Sequence, residues 1–124
     1  MKGKKILIVD DNIFITESYS RMLRKGGFVT EVALNGCEAM HVISRSSIDL
    51  VILDLDMPVK NGFETLMEIK ESNPWLPVIV VTGQEGKETK VNVMKAGASN
   101  FFTKPVDIKI LRNIINQLLI MYCR

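Results

Sequence analysis

The chain has 124 residues, of which 47% are hydrophobic and 24% charged, with a formal net charge of +2. That length suits one domain with a real core, residues 1–124, and the composition is that of an ordinary soluble globular protein, expected in the cytoplasm. No apolar run approaches the ~20 residues of a membrane span, and the basic residues form no stripe of the kind nucleic-acid binding needs, so neither a membrane nor direct nucleic-acid contact is expected.

The N-terminus, "MKGKKILIVDD", sets basic residues before an apolar run. The run from Ile6 to Val9 is too short for a signal-peptide core of about 7–15 residues and is followed by acids, so residues 5–9 read as a strand. Residues 12–27 place Ile15, Tyr19, Met22 and Leu23 at helical spacing and stop at Gly26-Gly27. "FVTEVAL" (28–34) alternates as a half-buried strand does. Residues 35–47 begin at a turn and continue as a helix with Ala39, Met40 and Ile43 toward the core.

"DLVILD" (49–54) is a continuous apolar strand, the type covered on both sheet faces. Residues 61–72 form a helix that ends before Asn73-Pro74. Residues 77–82, "PVIVVT", are a second fully apolar strand. A short helix over 87–97 is capped by Gly97, and a last strand covers 99–103. Asp107 then caps a long apolar-rich helix running almost to the end.

Strands alternating with helices through short connections imply a parallel sheet covered on both sides. Five such units in this length suit an α/β, flavodoxin-like, doubly wound domain with strand order 2-1-3-4-5, whose ligands sit beyond the carboxyl ends of the strands. The cysteines, Cys37 and Cys123, have no metal-ligand spacing and read as unpaired thiols in a reducing compartment.

In this fold the carboxyl ends of the strands share one rim. Strand one ends in Asp10-Asp11, strand three in Asp54 with Asp56 close behind, strand four in Thr82, and strand five runs on to Lys104-Pro105. A single such ending is common, since Asp opens turns and caps helices; four together are not. Carboxylates this close raise one another's pKa unless a cation intervenes. Oxygen donors without nitrogen or sulfur select a hard divalent ion, and Mg²⁺ typically takes one or two carboxylates and leaves room for phosphate oxygens. A carboxylate can itself be the nucleophile in phosphoryl transfer. The charge that develops then wants a metal, an ammonium and a hydroxyl nearby, roles that Mg²⁺, Lys104 and Thr82 match. Asp54 is the nucleophile candidate, and Asp10 and Asp11 the metal holders.

With "LIVDDN", "LDLDMPVKNG", "VVTG" and "AGASNFFTKP" in this order, the chain resembles the receiver domain of a two-component response regulator over essentially its whole length. The resemblance implies phosphorylation of Asp54 by a sensor histidine kinase or phosphotransfer protein. It implies Mg²⁺ held by Asp11 and Asp54, by Asp10 directly or through water, and by the backbone carbonyl of Asp56. Thr82 and Lys104 would each hold a phosphoryl oxygen, and the Lys104–Pro105 bond is often cis in this family. Phe101 falls at an aromatic switch position. Asp56 and Gln84 fall at two variable positions that influence how long the phosphoryl group lasts. Gly83 stands where Ala or Ser is more usual.

On this reading, added phosphoryl charge draws Thr82 inward, Phe101 turns into the space it leaves, and the 87–96 helix shifts. That helix, strand five and the last helix form the expected output face, toward an effector domain or a second copy. On the last helix Ile108, Leu111, Ile115, Leu118 and Leu119 read as core. A second stripe of Ile110, Ile114 and Met121 reads either as scattered exposed residues or as an interface. His41 reads as a surface or half-buried structural residue. Trp75 reads as packing, Met22, Met40 and Met67 as core filling, and Lys87, Lys90 and Lys95 as a solvated face.

Three rival readings remain at this level. A flavin-nucleotide binder lacks a Gly/Ser/Thr-rich phosphate loop, and Asp10-Asp11 would repel the phosphate. A Mg²⁺-dependent phosphotransferase or phosphatase acting on external substrates lacks a cap insertion and a second carboxylate placed as general acid. A phosphate-independent interaction module is the third. Whether the chain stands alone or is the N-terminal receiver of a longer protein is open.

Overall fold

The computed structural model describes residues 3–57, 61–83 and 87–121. In chain order the elements are β1 (Lys5–Val9), α1 (Ile13–Lys25), β2 (Val29–Ala33), α2 (Gly36–Arg45), β3 (Leu50–Leu53), α3 (Gly62–Ser72), β4 (Val78–Thr82), α4 (Lys87–Lys95), β5 (Asn100–Thr103) and α5 (Ile108–Met121). The strands pair in parallel, as the alternation of elements predicts, in the order β2-β1-β3-β4-β5 expected of a flavodoxin-like domain. β3 is the central strand, and all four of its residues are buried.

Because side chains alternate along a strand, each apolar run divides between two cores. Ile6, Ile8, Leu50, Ile52, Ile79 and Val81 meet Leu23 of α1 and Leu111, Ile115, Leu118 and Leu119 of α5. Leu7, Val9, Val51, Leu53, Val78 and Val80 meet Ala39 and Val42 of α2, Leu66 and Ile69 of α3, and Val93 of α4. Two-sided coverage is the reason β1, β3 and β4 read as unbroken apolar runs. β2 lies at an edge and leaves Val29 and Val32 exposed. α4 is the most lightly anchored helix, with Val93 its one buried residue among those described.

Asparagine starts three helices. The Asn12 side chain accepts the Phe14 and Ile15 amides at 2.9 and 3.3 Å. Asn35 accepts from Glu38 N at 2.8 Å, and Asn61 from Glu64 N at 2.8 Å. These are N-caps that satisfy amides the first turn leaves unpaired. Asp107 caps α5 as expected, accepting from Lys109 and Ile110. Gly97, with φ +109°, ends the α4 turn in a backbone conformation that side-chain-bearing residues avoid. Asn12→Ala will cost about 1 kcal/mol in urea unfolding, the usual worth of such a cap.

Three expectations about packing are corrected. Trp75 is 67% exposed, because it sits in the turn before β4 and only Leu76, next along, enters the core. Met67 is 53% exposed, since α3 turns Leu66 and Ile69 inward instead. On α1 Met22 is only half-buried; the buried positions are Thr16, Ser20 and Leu23, and Tyr19 packs against the core while partly exposed. The two hydroxyls tolerate burial because both are bonded. Thr16 Oγ1 donates to the Ile13 carbonyl at 2.9 Å, and Ser20 Oγ pairs with Thr30 Oγ1 at 2.5 Å.

The second α5 stripe divides: Ile110 and Met121 are exposed, and Ile114 packs against the core. His41, Lys87, Lys90 and Lys95 are exposed. Cys37 is a free, exposed thiol. Cys123 lies outside the described residues, as does Gln84.

Candidate functional site at the carboxyl rim

Strand register decides which residues meet at the rim. Val9 of β1 stands opposite Leu53 of β3, so Asp10 and Asp54 leave the sheet side by side. The Asp54 amide donates to the Val9 carbonyl at 2.9 Å, extending the ladder by one bond. At the far side Thr82 stands opposite Thr103. The next amide, that of Lys104, donates back to the Thr82 carbonyl at 2.8 Å. The Lys104–Pro105 peptide is cis.

These backbone positions gather the charges. Asp10, Asp11 and Asp54 each offer a carboxylate oxygen, and the three oxygens lie within 4.8 Å of one another. Asp10 and Asp54 are buried, 4% and 3% exposed, while Asp11 is open to solvent. Lys104 Nζ donates to Asp10 Oδ2 at 3.1 Å and lies 3.6 Å from Asp54 Oδ2. Asp10 Oδ1 accepts the Asn12 amide at 2.9 Å, and Asp54 Oδ1 accepts the Asp56 amide at 3.2 Å. Each of these two carboxylates is therefore held by a backbone donor on one oxygen and faces the lysine with the other.

Burial pushes the Asp54 carboxyl up to about 6, and the neighbouring Asp10 and Asp56 charges push the same way. The Asp56 amide and Lys104 oppose the shift without cancelling it. For Lys104, burial works against the charged form, but the hydrogen bond to Asp10 and the charges on Asp54 and Asp10 prevail and raise its pKa. Burial also raises the Tyr19 phenol, which feels Lys104, Asp10 and Asp54 as well. The rim thus carries more negative charge than one ammonium neutralises. Its donors are all oxygens, and a buried carboxylate is held above its ordinary range. Such a donor set fits a hard divalent cation of the Mg²⁺ type.

Thr82 is completely buried at the end of β4, and its Oγ1 donates to Asp56 Oδ2 at 3.1 Å. Phe101 is half-buried on the core face shared with Val80, its partner in the β4–β5 register. Its ring borders a cleft with Lys87, Lys90 and Thr103. The Cβ of an alanine at position 83 would lie 4.0 Å from Asp56 Oδ2, an ordinary contact, so glycine there is not demanded by space.

Three residues at the rim escaped the sequence reading. Asn12 fastens Asp10 through its amide while capping α1. Tyr19, placed only by its helical spacing, borders Lys104 in a cleft with Pro105 and Val106. Gly62 lies so close to the backbone of Asp54 and Leu55 that a side chain would collide with both. Asn12 left a signal, as an Asn just before a helical pattern, whereas Gly62 closes the "LDLDMPVKNG" segment with nothing local to show its role. The other two roles depend on distances between segments far apart in sequence.

Comparison with known proteins agrees with this geometry. The response regulator receiver domain family matches residues 6–116. The transcriptional regulatory protein ZraR of Klebsiella oxytoca is 35% identical over 121 residues, covering 96% of this chain and 27% of that protein. The chain thus spans about a quarter of the length of this curated relative. The CheY-like receiver domain protein of Methanospirillum hungatei superposes with a TM-score of 0.93 at 30% identity, covering 98% of this chain and 97% of that one. NtrX of Brucella abortus, solved with ADP, gives a TM-score of 0.90 at 30% identity, with 97% of this chain matching 28% of that one.

Proposed function

Because the chain belongs to the response regulator receiver family, whose general function is that of a two-component signalling switch, we propose that it is switched by phosphorylation of Asp54 and acts on a partner rather than on an external substrate. The observation that carries this reading is the position of Asp54. It is a buried carboxylate at the end of the central strand, beside both Lys104 and the Asp10-Asp11 pair.

In the proposed reaction an Asp54 oxygen attacks phosphorus. The bond to the donor's imidazole nitrogen breaks, an acyl phosphate forms, and the imidazole leaves with the electron pair. Asp10, Asp11, Asp54 and the backbone carbonyl of Asp56 would hold Mg²⁺, which when bound neutralises charge on the phosphoryl oxygens. Lys104 pairs with one phosphoryl oxygen and Thr82 donates its hydroxyl to another. Phe101 turns into the space Thr82 vacates, and α4 shifts with it.

The donor is proposed to be a cytoplasmic sensor histidine kinase or phosphotransfer protein. Exposed Ile13 and Phe14 lie beside the rim, and Phe14 borders a cleft of about 510 Å³ with Lys104, Pro105 and Val106. This is apolar surface where a donor has to approach. Output is proposed to pass through α4, β5 and α5, to an effector domain or a second copy.

Intact mass after incubation with acetyl phosphate and Mg²⁺ tests the reading. One added phosphoryl group is expected, and none when the metal is chelated. Uptake indifferent to chelation, or no uptake from either acetyl phosphate or a phosphorylated histidine phosphotransfer protein, would overturn it. Turnover of an added phosphomonoester would instead favour an enzyme acting on external substrates.

A further inference from the structure

The Asp56 side chain has a position that its backbone carbonyl role does not require. Asp56 follows Asp54 by two residues, and its two ends bind different partners. Its amide donates to Asp54 Oδ1 at 3.2 Å, and its carboxylate accepts the Thr82 hydroxyl at 3.1 Å. One residue therefore links the carboxylate proposed to be phosphorylated to the hydroxyl proposed to respond. The two ends of the bond differ in freedom, since Thr82 is wholly buried and the Asp56 side chain is exposed.

A hydroxyl carries one proton and donates one full hydrogen bond. A bond to an ionised acceptor is stronger than one between neutral groups. A phosphoryl group on Asp54 offers Thr82 new charged oxygens, but the same proton cannot serve them and Asp56 together. The Asp56–Thr82 bond must break before Thr82 turns. If only the released hydroxyl assists transfer, the rate is scaled down by the fraction of molecules in which it is released.

We propose that Asp56 is a positioning residue that retains the Thr82 hydroxyl in the unphosphorylated protein, so that its carboxylate and the phosphoryl group compete for one proton. This rests on the phosphoacceptor reading of Asp54 and adds to it a resting partner for Thr82. Asp56 then sets the poise of the switch through a hydrogen bond, apart from the effect of its charge.

Asp56→Asn and Asp56→Ala separate the two effects. Asparagine removes the charge and keeps an acceptor oxygen, while alanine removes both. In metal-free, unphosphorylated protein, three-bond couplings to the Thr82 methyl carbon report its rotamer. The parent and Asp56→Asn are expected to hold one rotamer, and Asp56→Ala to average between rotamers. With Mg²⁺ and acetyl phosphate, the initial rate of mass gain is expected to be about fivefold higher in Asp56→Ala than in Asp56→Asn, the scale of one hydrogen bond. An unchanged Thr82 rotamer in Asp56→Ala would overturn the proposal. So would equal uptake rates in the two variants, which would leave charge alone at work. A parent that takes up no phosphoryl group would defeat the reading of Asp54 instead, and the rotamer comparison would still judge the resting bond separately.

Discussion

An Asp54→Asn variant will take up no phosphoryl group and yet, free of metal, will be more stable than the parent at neutral pH. The first half follows from chemistry, since an amide is no substitute for a carboxylate nucleophile. The second follows from burial. In the folded chain the Asp54 carboxyl is pushed up to about 6, against an ordinary value of 3.8. Between those two pH values the folded state binds more protons than the unfolded state, so stability falls as pH rises through the window. Well above pH 6 the folded protein carries the whole cost of an ionised, desolvated carboxylate beside Asp10 and Asp56. Asparagine does not ionise and escapes that cost. The gain expected at pH 7.5 is roughly 2–3 kcal/mol, and it should vanish at pH 3 and below. Urea unfolding of both proteins at the two pH values measures it. A variant less stable than the parent at pH 7.5 would mean that attraction to Lys104 outweighs desolvation.

Gly62→Ala will do the reverse and damage both fold and site. A Cβ there would lie 2.2 Å from the Asp54 carbonyl oxygen and 2.4 Å from Leu55 Cα. Both obstacles are backbone, so neither can move aside by changing rotamer. The Gly62 amide also donates to the Leu55 carbonyl at 3.0 Å, which ties the start of α3 to the segment that follows β3. Relief requires α3 to back away, breaking that bond and dragging the backbone that carries Asp54. A loss of about 3 kcal/mol is expected, at the upper end of overpacking effects, together with slower phosphoryl uptake. Gly83→Ala is the contrasting control. With open space at that position, its stability should stay within about 0.5 kcal/mol of the parent. Equal effects of the two substitutions would show that the close approach at Gly62 is relieved at little cost.

The parts of this molecule that could be read from sequence are those where one residue type answers one local demand. β1, β3 and β4 emerged to within a residue because strands covered on two faces admit no polar interruption. The rim emerged because each of those runs stops at an abrupt Asp or Thr. The N-caps were legible in principle, as "NGCE" and "NGFE" place Asn three residues before Glu at the starts of α2 and α3. What could not be read was side-chain direction on a helix or in a turn whose periodicity admits more than one face. Met67 and Trp75 were drawn inward by their apolarity alone, while Thr16 and Ser20 took buried places because hydroxyl partners were available. The Asp56–Thr82 bond and the tightness at Gly62 are through-space facts between β3, β4 and α3, and no local pattern encodes them.

The light anchoring of α4 gives the molecule a gradient of rigidity. Asp54 rides on β3, whose four residues are buried between neighbours on both sides, and amides there should exchange with solvent only on global unfolding. α4, with Val93 its one described buried residue, belongs to the portion that opens at a small fraction of that free energy. Chemistry at the stiff end can therefore be reported by motion at the soft end, with the central sheet left intact while the surface is remodelled.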